Sequence, residues 1–214
     1  DTLNDSQPIP VTIEKILNEV ARTYNVMPSD IRGKKRNANV SAARQMTMYI
    51  IREVTGMETG IKWPNDIVIH GKKVCGILTE MSTQMDYINY IVIGIGINVQ
   101  NESFPEEIRE VATSLRIESG KKQKRAAIIE AVWEEFEKYY DIYLKTEDMQ
   151  GLVGEYDQKL ANMNKQVRVL DPKDPYEGTA RGITPKGELI VDTWEARKLV
   201  SSGEVSVRGL YGYV

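Results

Sequence analysis

Residues 62–98 read KWPNDIVIHGKKVCGILTEMSTQMDYINYIVIGIGIN. Three apolar runs within them, Ile67–Ile69, Val74–Leu78 and Tyr87–Ile97, are rich in Ile and Val and separated by polar residues. Runs of this kind predict neighbouring antiparallel strands. His70-Gly71-Lys72 is a short turn signal in which Gly71 is free to take positive φ. Ser82–Asp86 is expected to form a second, looser turn. The third run is almost wholly apolar and is expected to be buried on both faces.

Polar groups and glycines interrupt these runs. Lys62, Asn65, Asp66 and Lys73 stand at strand ends or inside strand patterns, and Gly76, Gly94 and Gly96 break apolar strands. A glycine there weakens the strand and often marks close approach by a ligand or another backbone. Asn98 follows directly on Gly94-Ile95-Gly96-Ile97. Lysines, an acid, amides and bare backbone on adjacent strands have the chemistry to bind a phosphate ester and its metal. The same spacing also fits a twisted sheet with bulges and solvated lysines.

The order Lys62-Trp63-Pro64-Asn65-Asp66, Gly71-Lys72-Lys73-Val74-Cys75-Gly76-Ile77-Leu78, Gly94-Ile95-Gly96-Ile97-Asn98 resembles bacterial biotin protein ligase, over about residues 57–214. The resemblance implies an enzyme that joins biotin to ATP, releases pyrophosphate and holds biotinyl-AMP. It then passes the biotin to a lysine of a biotin carboxyl carrier protein. ATP, biotin and Mg2+ are the implied ligands. Lys73 matches the catalytic lysine, placed near the biotin carboxylate and the α-phosphate to stabilise charge that develops in transfer. Biotin would also meet Gly76, Gly94 and Gly96. ATP would meet Lys62, Asn65, Asp66, Asn98 and Arg208, with Asp66 on the metal side. Glu204 and Arg208 match family positions facing the active site. Trp63 and Pro64 read as structural, with Pro64 fixing φ at a strand start.

Composition bounds the remaining possibilities. The chain has 214 residues, enough for one to three small domains, with 41% hydrophobic and 28% charged residues, an ordinary soluble mixture. No apolar run approaches the ~20 residues of a membrane span, so no membrane association is expected. No signal peptide is visible, and the first residue, Asp1, points to a processed or fragmentary N-terminus. The single cysteine, Cys75, excludes an intramolecular disulfide and suits a cytoplasmic protein. In its strand pattern it reads as a buried small hydrophobe. The single His70, in a turn, is not expected to serve a metal or a catalytic triad.

The net charge of −3 hides a split: residues 1–56 hold eight Lys/Arg and six Asp/Glu, a surplus of +2, and the remainder carries −5. Nucleic-acid affinity is therefore expected in the N-terminal part. Val11–Tyr24 has apolar residues at helical spacing, with Thr12 as its N-cap, and Ser41 caps a longer helix from Ala42 to about Thr55. Between them lies the basic loop Arg32-Gly33-Lys34-Lys35-Arg36-Asn37. From Val11-Thr12-Ile13 through Arg44-Gln45-Met46 to Arg52-Glu53-Val54-Thr55, residues 5–57 resemble the start of the DNA-binding domain of the replication initiator DnaA. The resemblance implies DNA contacts by Lys34, Lys35, Arg36, Arg44 and Gln45. It also implies a Gly-Gly-Arg-Asp-His motif and recognition helix, which do not follow Met57. Weak DNA binding through residues 32–45 is expected, since backbone contacts position a protein without reading sequence. Likewise, nothing before Lys62 resembles the Gly/Arg-rich loop or the biotin-head strands of the ligases.

Beyond Asn98, Phe104–Leu115 is expected to be loop and short helix, with Pro105 in its first turn. Lys121–Lys145 is an amphipathic helix, with Ala127, Val132, Phe136, Tyr139, Tyr140 and Tyr143 near one face. Leu152–Leu160 is a further helix. Five short β patterns follow, Val167–Leu170, Gly178–Ile183, Glu188–Val191, Lys198–Ser201 and Glu204–Arg208, with turn signals at Pro185-Lys186-Gly187 and Ser202-Gly203. They predict a small barrel resembling the SH3-like C-terminal domain of the ligases.

The chain is thus read as α+β in three parts. These are an N-terminal helical fragment (1–56), a partial mixed α/β ligase sheet with helices (57–162) and an SH3-like β-barrel (163–214). The function read from it is an incomplete biotin protein ligase. The alternatives are a DNA-binding module derived from the replication initiator and an inert fusion of the two. Helix 42–55 is expected to dock on the strands of 67–97, and the sheet to keep an exposed edge open to self-association.

Overall fold

The computed structural model of the protein describes residues 56–84, 87–202, 206–209 and 213–214. Helix 42–55, the basic loop with Lys34, Lys35, Arg36, Arg44 and Gln45, and Glu204 lie outside the described residues. The chain divides into two compact units, and Thr79–Val92 is the described part of the first. All other described residues belong to the second.

The first sheet has the order β1-β2-β3-β4, with β1 Gly60–Lys62, β2 Asp66–Ile69, β3 Lys72–Gln84 and β4 Tyr87–Ile97. β1 and β2 pair antiparallel, as do β2 and β3. The β2–β3 turn is the one the sequence announces. His70 and Gly71 both have positive φ, at 49° and 78°, the backbone of a two-residue hairpin whose twist matches its strands. Pro64 is not at a strand start. It lies in the turn between β1 and β2, after a cis Trp63–Pro64 bond.

Two expectations about the long strands are corrected. Ser82–Gln84 is strand rather than turn, because β3 continues to Gln84 and only residues 85–86 separate it from β4. β4 is not buried on both faces: Ile93, Ile95 and Ile97 pack against the core, whereas Gly94 and Gly96 are exposed. Alternating Ile and Gly gives β4 one greasy face and one bare one, a pattern that an overall apolar count conceals.

Three helices follow: α1 Leu115–Ser119, α2 Arg125–Thr146 and α3 Val153–Lys159. The expected helix within Phe104–Leu115 is absent. Residues 106–111 form turns, and helix begins only at Leu115, where the Ser114 side chain accepts the Ile117 N–H at 3.1 Å. α2 starts at Arg125, not Lys121. Tyr139 is buried on its inner face, with Val132, Phe136 and Tyr143 packed beside it. Ala127 and Tyr140, assigned to the same face, are exposed, and Ile128 is buried instead.

The second sheet is antiparallel, order β8-β7-β6-β5-β9. Its strands are β5 Gln166–Leu170, β6 Tyr176–Ile183, β7 Leu189–Asp192, β8 Arg197–Val200 and β9 Ser206–Gly209. These match the five predicted strands to within a few residues. β5 alternates Val167 and Val169 inward with Gln166 and Arg168 outward. Both sheets share one apolar core: Ile61, Trp63, Ile67 and Ile77 of the first and Val167, Val169, Ala180 and Val191 of the second belong to one cluster. The fully buried Trp63 indole donates to the Gly187 carbonyl at 3.1 Å, tying the β1–β2 turn to the β6–β7 turn. The Ala161 N–H reaches the Ile61 carbonyl at 2.8 Å, so the chain leaving α3 runs beside β1.

Candidate functional site

Strand register assembles the site. Lys62 on β1 stands opposite Asp66 on β2, and Asp66 stands opposite Gly76 on β3. Directly paired residues share a face, so Lys62, Asp66 and Gly76 form a row across three strands. Lys73 joins it through a bulge. Ile67 pairs with Cys75, but Val68 pairs with Lys73, which leaves Val74 as the extra residue. In an unbroken strand, Lys73 would point away from Gly76, three residues on. The bulge turns it back, so that Lys73 shares the face of Gly76. The irregularity is held by a segment on the other side: the Lys73 N–H donates to the Val111 carbonyl at 2.7 Å and the Thr113 N–H to the Lys73 carbonyl at 2.8 Å.

The Lys73 ammonium then meets the Asp66 carboxylate at 2.6 Å. It lies directly over Gly76, where an added Cβ would come within 2.9 Å of Nζ. Only glycine leaves room for that pose. An ion pair as exposed as this adds at most ~1 kcal/mol to stability, so its effect is chiefly to fix where the ammonium sits. Leu78 lies two residues beyond Gly76, and an added Cβ at Gly94 would be 4.0 Å from the Leu78 Cβ. Gly94 and Gly96 therefore continue the same face. Their nearest backbone neighbours are 3.6 Å from an added Cβ, so packing does not demand glycine at either position. The result is an open strip of bare backbone beside two lysines.

Lys62 is buried, and desolvation holds its pKa below the ordinary lysine value, opposed by the Asp66 charge and reinforced by Lys73 and Arg208. Arg208, exposed on β9, pairs directly across from Arg168. Like charges in that position repel. Arg168 is paired with Glu177 at 2.8 Å, and the Arg208 charge is felt at Lys62. Two lysines and Arg208 against one carboxylate give this face a local surplus of +2, the electrostatics of an anion site.

The two asparagines stand at the rim and are committed to the backbone. The Asn65 carbonyl accepts the Ile77 N–H at 2.9 Å and its side chain donates to the Ile77 carbonyl at 3.1 Å, extending the ladder past Asp66. Asn98 donates its side-chain amide to the Thr113 carbonyl at 3.0 Å, and its backbone N–H to the Val74 carbonyl at 2.9 Å. Cys75 points to the core, and burial pushes its thiol up to about 12, which makes it inert as a nucleophile. His70 meets Glu118 at 2.7 Å on the surface.

One residue of the site has no signal in the strand motifs. The Tyr213 hydroxyl donates to the second Asp66 oxygen, and the Lys62 ammonium lies 4.3 Å from the centre of its ring. Tyr213 is 147 residues from Asp66, and no local pattern in the sequence pointed to it.

Residues 163–208 match the biotin protein ligase C-terminal domain, and residues 13–60 match the bacterial DnaA helix-turn-helix. The bifunctional ligase/repressor BirA of Bacillus spizizenii is 37% identical over 159 residues, 73% of this chain and 49% of the relative. The biotin–[acetyl-CoA-carboxylase] ligase of Mycobacterium tuberculosis is 33% identical over 69% of this chain and 53% of its own length. The chain thus spans about half the length of the curated relatives it matches. The Aquifex aeolicus biotin protein ligase, solved in complex with biotin and ATP, superimposes with a TM-score of 0.71 at 28% identity, covering 82% of this chain and 74% of that one. The described fold is that of a biotin protein ligase, and a DnaA-like segment precedes it.

Proposed function

We propose that residues 57–214 supply the nucleotide-handling side of a biotin protein ligase site, with residues 57–162 as its sheet part and 163–214 as its C-terminal domain. The single observation that carries this reading is the Lys73 ammonium, turned by a bulge onto Asp66 over Gly76. It faces a strip whose glycines packing does not require. In the adenylation step the biotin carboxylate attacks the α-phosphorus of ATP and pyrophosphate leaves. Lys73 stabilises the negative charge shared by the carboxylate and the α-phosphate oxygens. Lys62 and Arg208 attract the phosphates, and Gly76, Gly94 and Gly96 let the linked product lie flat on the backbone. Asn65 and Asn98 act by holding the rim.

Asp66 is a poor fit for a metal ligand, because Lys73 and Tyr213 already hold both its oxygens. Among the described residues no group of three metal-ligating side chains occurs. Mg2+ is read as arriving on the ATP phosphates, with Asp66 orienting Lys73. The acceptor, by analogy with the relatives, is a lysine of a biotin carboxyl carrier protein. Among the described residues no helix is long and apolar enough to cross a membrane.

Isothermal titration with ATP and Mg2+ tests this reading. The chain should bind, and Lys73→Ala should weaken binding at least about tenfold, the loss expected of a charge-assisted phosphate contact. Equal binding by both would refute it. A second reading, weak DNA binding through residues 32–45, rests on the helix-turn-helix match over 13–60.

A further inference from the structure

Tyr213 lies against the candidate site. Tyr213 belongs to none of the strands, yet it engages two members of the row at once. Its hydroxyl donates to one Asp66 oxygen while Lys73 holds the other at 2.6 Å. The face of its ring covers the Lys62 ammonium at 4.3 Å. Lys62 and Asp66 are themselves direct partners across β1 and β2. The tyrosine therefore links Lys62 to the Asp66–Lys73 pair through a single side chain.

The carboxylate of an aspartate rotates about its last bond unless both oxygens are held. Lys73 holds one, and the ammonium on its four-carbon stem is mobile by nature. Without the hydroxyl, Asp66 has a single partner at the row, and the pair can swing together away from Gly76. A cation over an aromatic face is likewise held where it would otherwise drift towards water. Burial also raises the proton affinity of the tyrosine, with Asp66 adding to it, so the hydroxyl stays a donor through the working range.

We infer that Tyr213 is a positioning residue of the nucleotide site. Its hydroxyl sets Asp66, and through it Lys73, while its ring holds Lys62 under the phosphates. This inference rests on the reading of the site given above. It goes beyond that reading by assigning a site role to Tyr213, which no strand motif carries.

Two substitutions separate the two contacts. Tyr213→Phe keeps the ring over Lys62 and removes the hydrogen bond; Tyr213→Ala removes both. ATP–Mg2+ affinity would be measured by calorimetry for each, with thermal midpoints alongside. In addition, [13C]lysine NMR spectra would follow the Lys62 side chain, which the ring current of Tyr213 shifts upfield. The expected result is graded. Tyr213→Phe weakens ATP binding about threefold and keeps the shifted Lys62 signal, and Tyr213→Ala weakens it about tenfold and loses the shift. Thermal midpoints stay close to wild type throughout. Unchanged ATP affinity in both variants, with the wild-type chain binding, overturns the inference alone. So does a loss that tracks thermal midpoint equally in both. Failure of the wild-type chain to bind ATP instead overturns the reading of the site, and the inference falls with it.

Discussion

At the scale of single residues, Lys73 and Gly76 are one device. An alanine at position 76 places its Cβ 2.9 Å from the lysine Nζ. The clash is with the end of a flexible side chain, so the sheet survives and the lysine moves. Gly76→Ala should therefore leave the thermal midpoint nearly unchanged and weaken ATP binding about as much as Lys73→Ala does. A stable variant with wild-type affinity would separate the glycine from the site. Lys62 makes a pH prediction. Its folded pKa lies below the ordinary lysine value, chiefly through burial. Between its folded value and about 10.4 the unfolded chain binds more protons, so this residue makes stability rise with pH over that interval. The midpoint difference between wild type and Lys62→Met should grow as pH climbs towards 10.4, and a flat or falling difference would contradict the assignment. Both residues were legible as candidates in the sequence, since a lysine inside a strand pattern is conspicuous. Tyr213 was not, because proximity across 147 residues leaves no local pattern.

At the scale of elements, the turn at His70-Gly71 and the five strands of the second sheet followed from residue type and period alone. The bulge at Val74 did not. It is imposed by backbone bonds from Val111 and Thr113 to Lys73, a tertiary pairing that no window of sequence contains. The expected burial of β4 on both faces failed for a related reason: glycine counts as neither polar nor charged, and its bareness shows only once Gly94 and Gly96 are seen to share a face. The Trp63 indole is the element-scale joint, filling the shared core and bonding to Gly187. Trp63→Ala should destabilise by ~3–5 kcal/mol. Trp63→Phe should cost less but still leave the Gly187 carbonyl without this donor, a penalty of ~1–3 kcal/mol. Urea unfolding measures both, and a Trp63→Ala loss under ~1 kcal/mol would show that the joint is not structural.

At the scale of the whole chain, two kinds of sequence meet before Lys62, and each match brings its own expectation. The N-terminal segment carries the basic run Arg32–Asn37, and no Gly-Gly-Arg-Asp-His motif follows Met57, so its DNA binding should be weak, salt-sensitive and indifferent to sequence. Fluorescence anisotropy with origin and scrambled duplexes checks this; a clear preference for the origin duplex at physiological salt would contradict it. The ligase-like part has the strands to which phosphate handling is proposed, while nothing in the sequence before them resembles the biotin-head strands. Positioning both substrates can lower a barrier by ~7–11 kcal/mol, and a site holding one of them forgoes most of that. This chain by itself should show no biotin-dependent ATP–pyrophosphate exchange above background. Much of this architecture was readable because motif order carries fold; what the order could not supply was the face each residue takes. The central claim is that Lys73, over Gly76, marks where the adenylate lies. Its most direct test is a titration of the [13C]lysine-labelled chain with biotinyl-5′-AMP, followed by NMR with Lys73 assigned through Lys73→Arg. The account predicts that the Lys73 signal shifts and saturates while that of Lys186, in the β6–β7 turn, stays still; a saturating ligand that leaves Lys73 unmoved would contradict it.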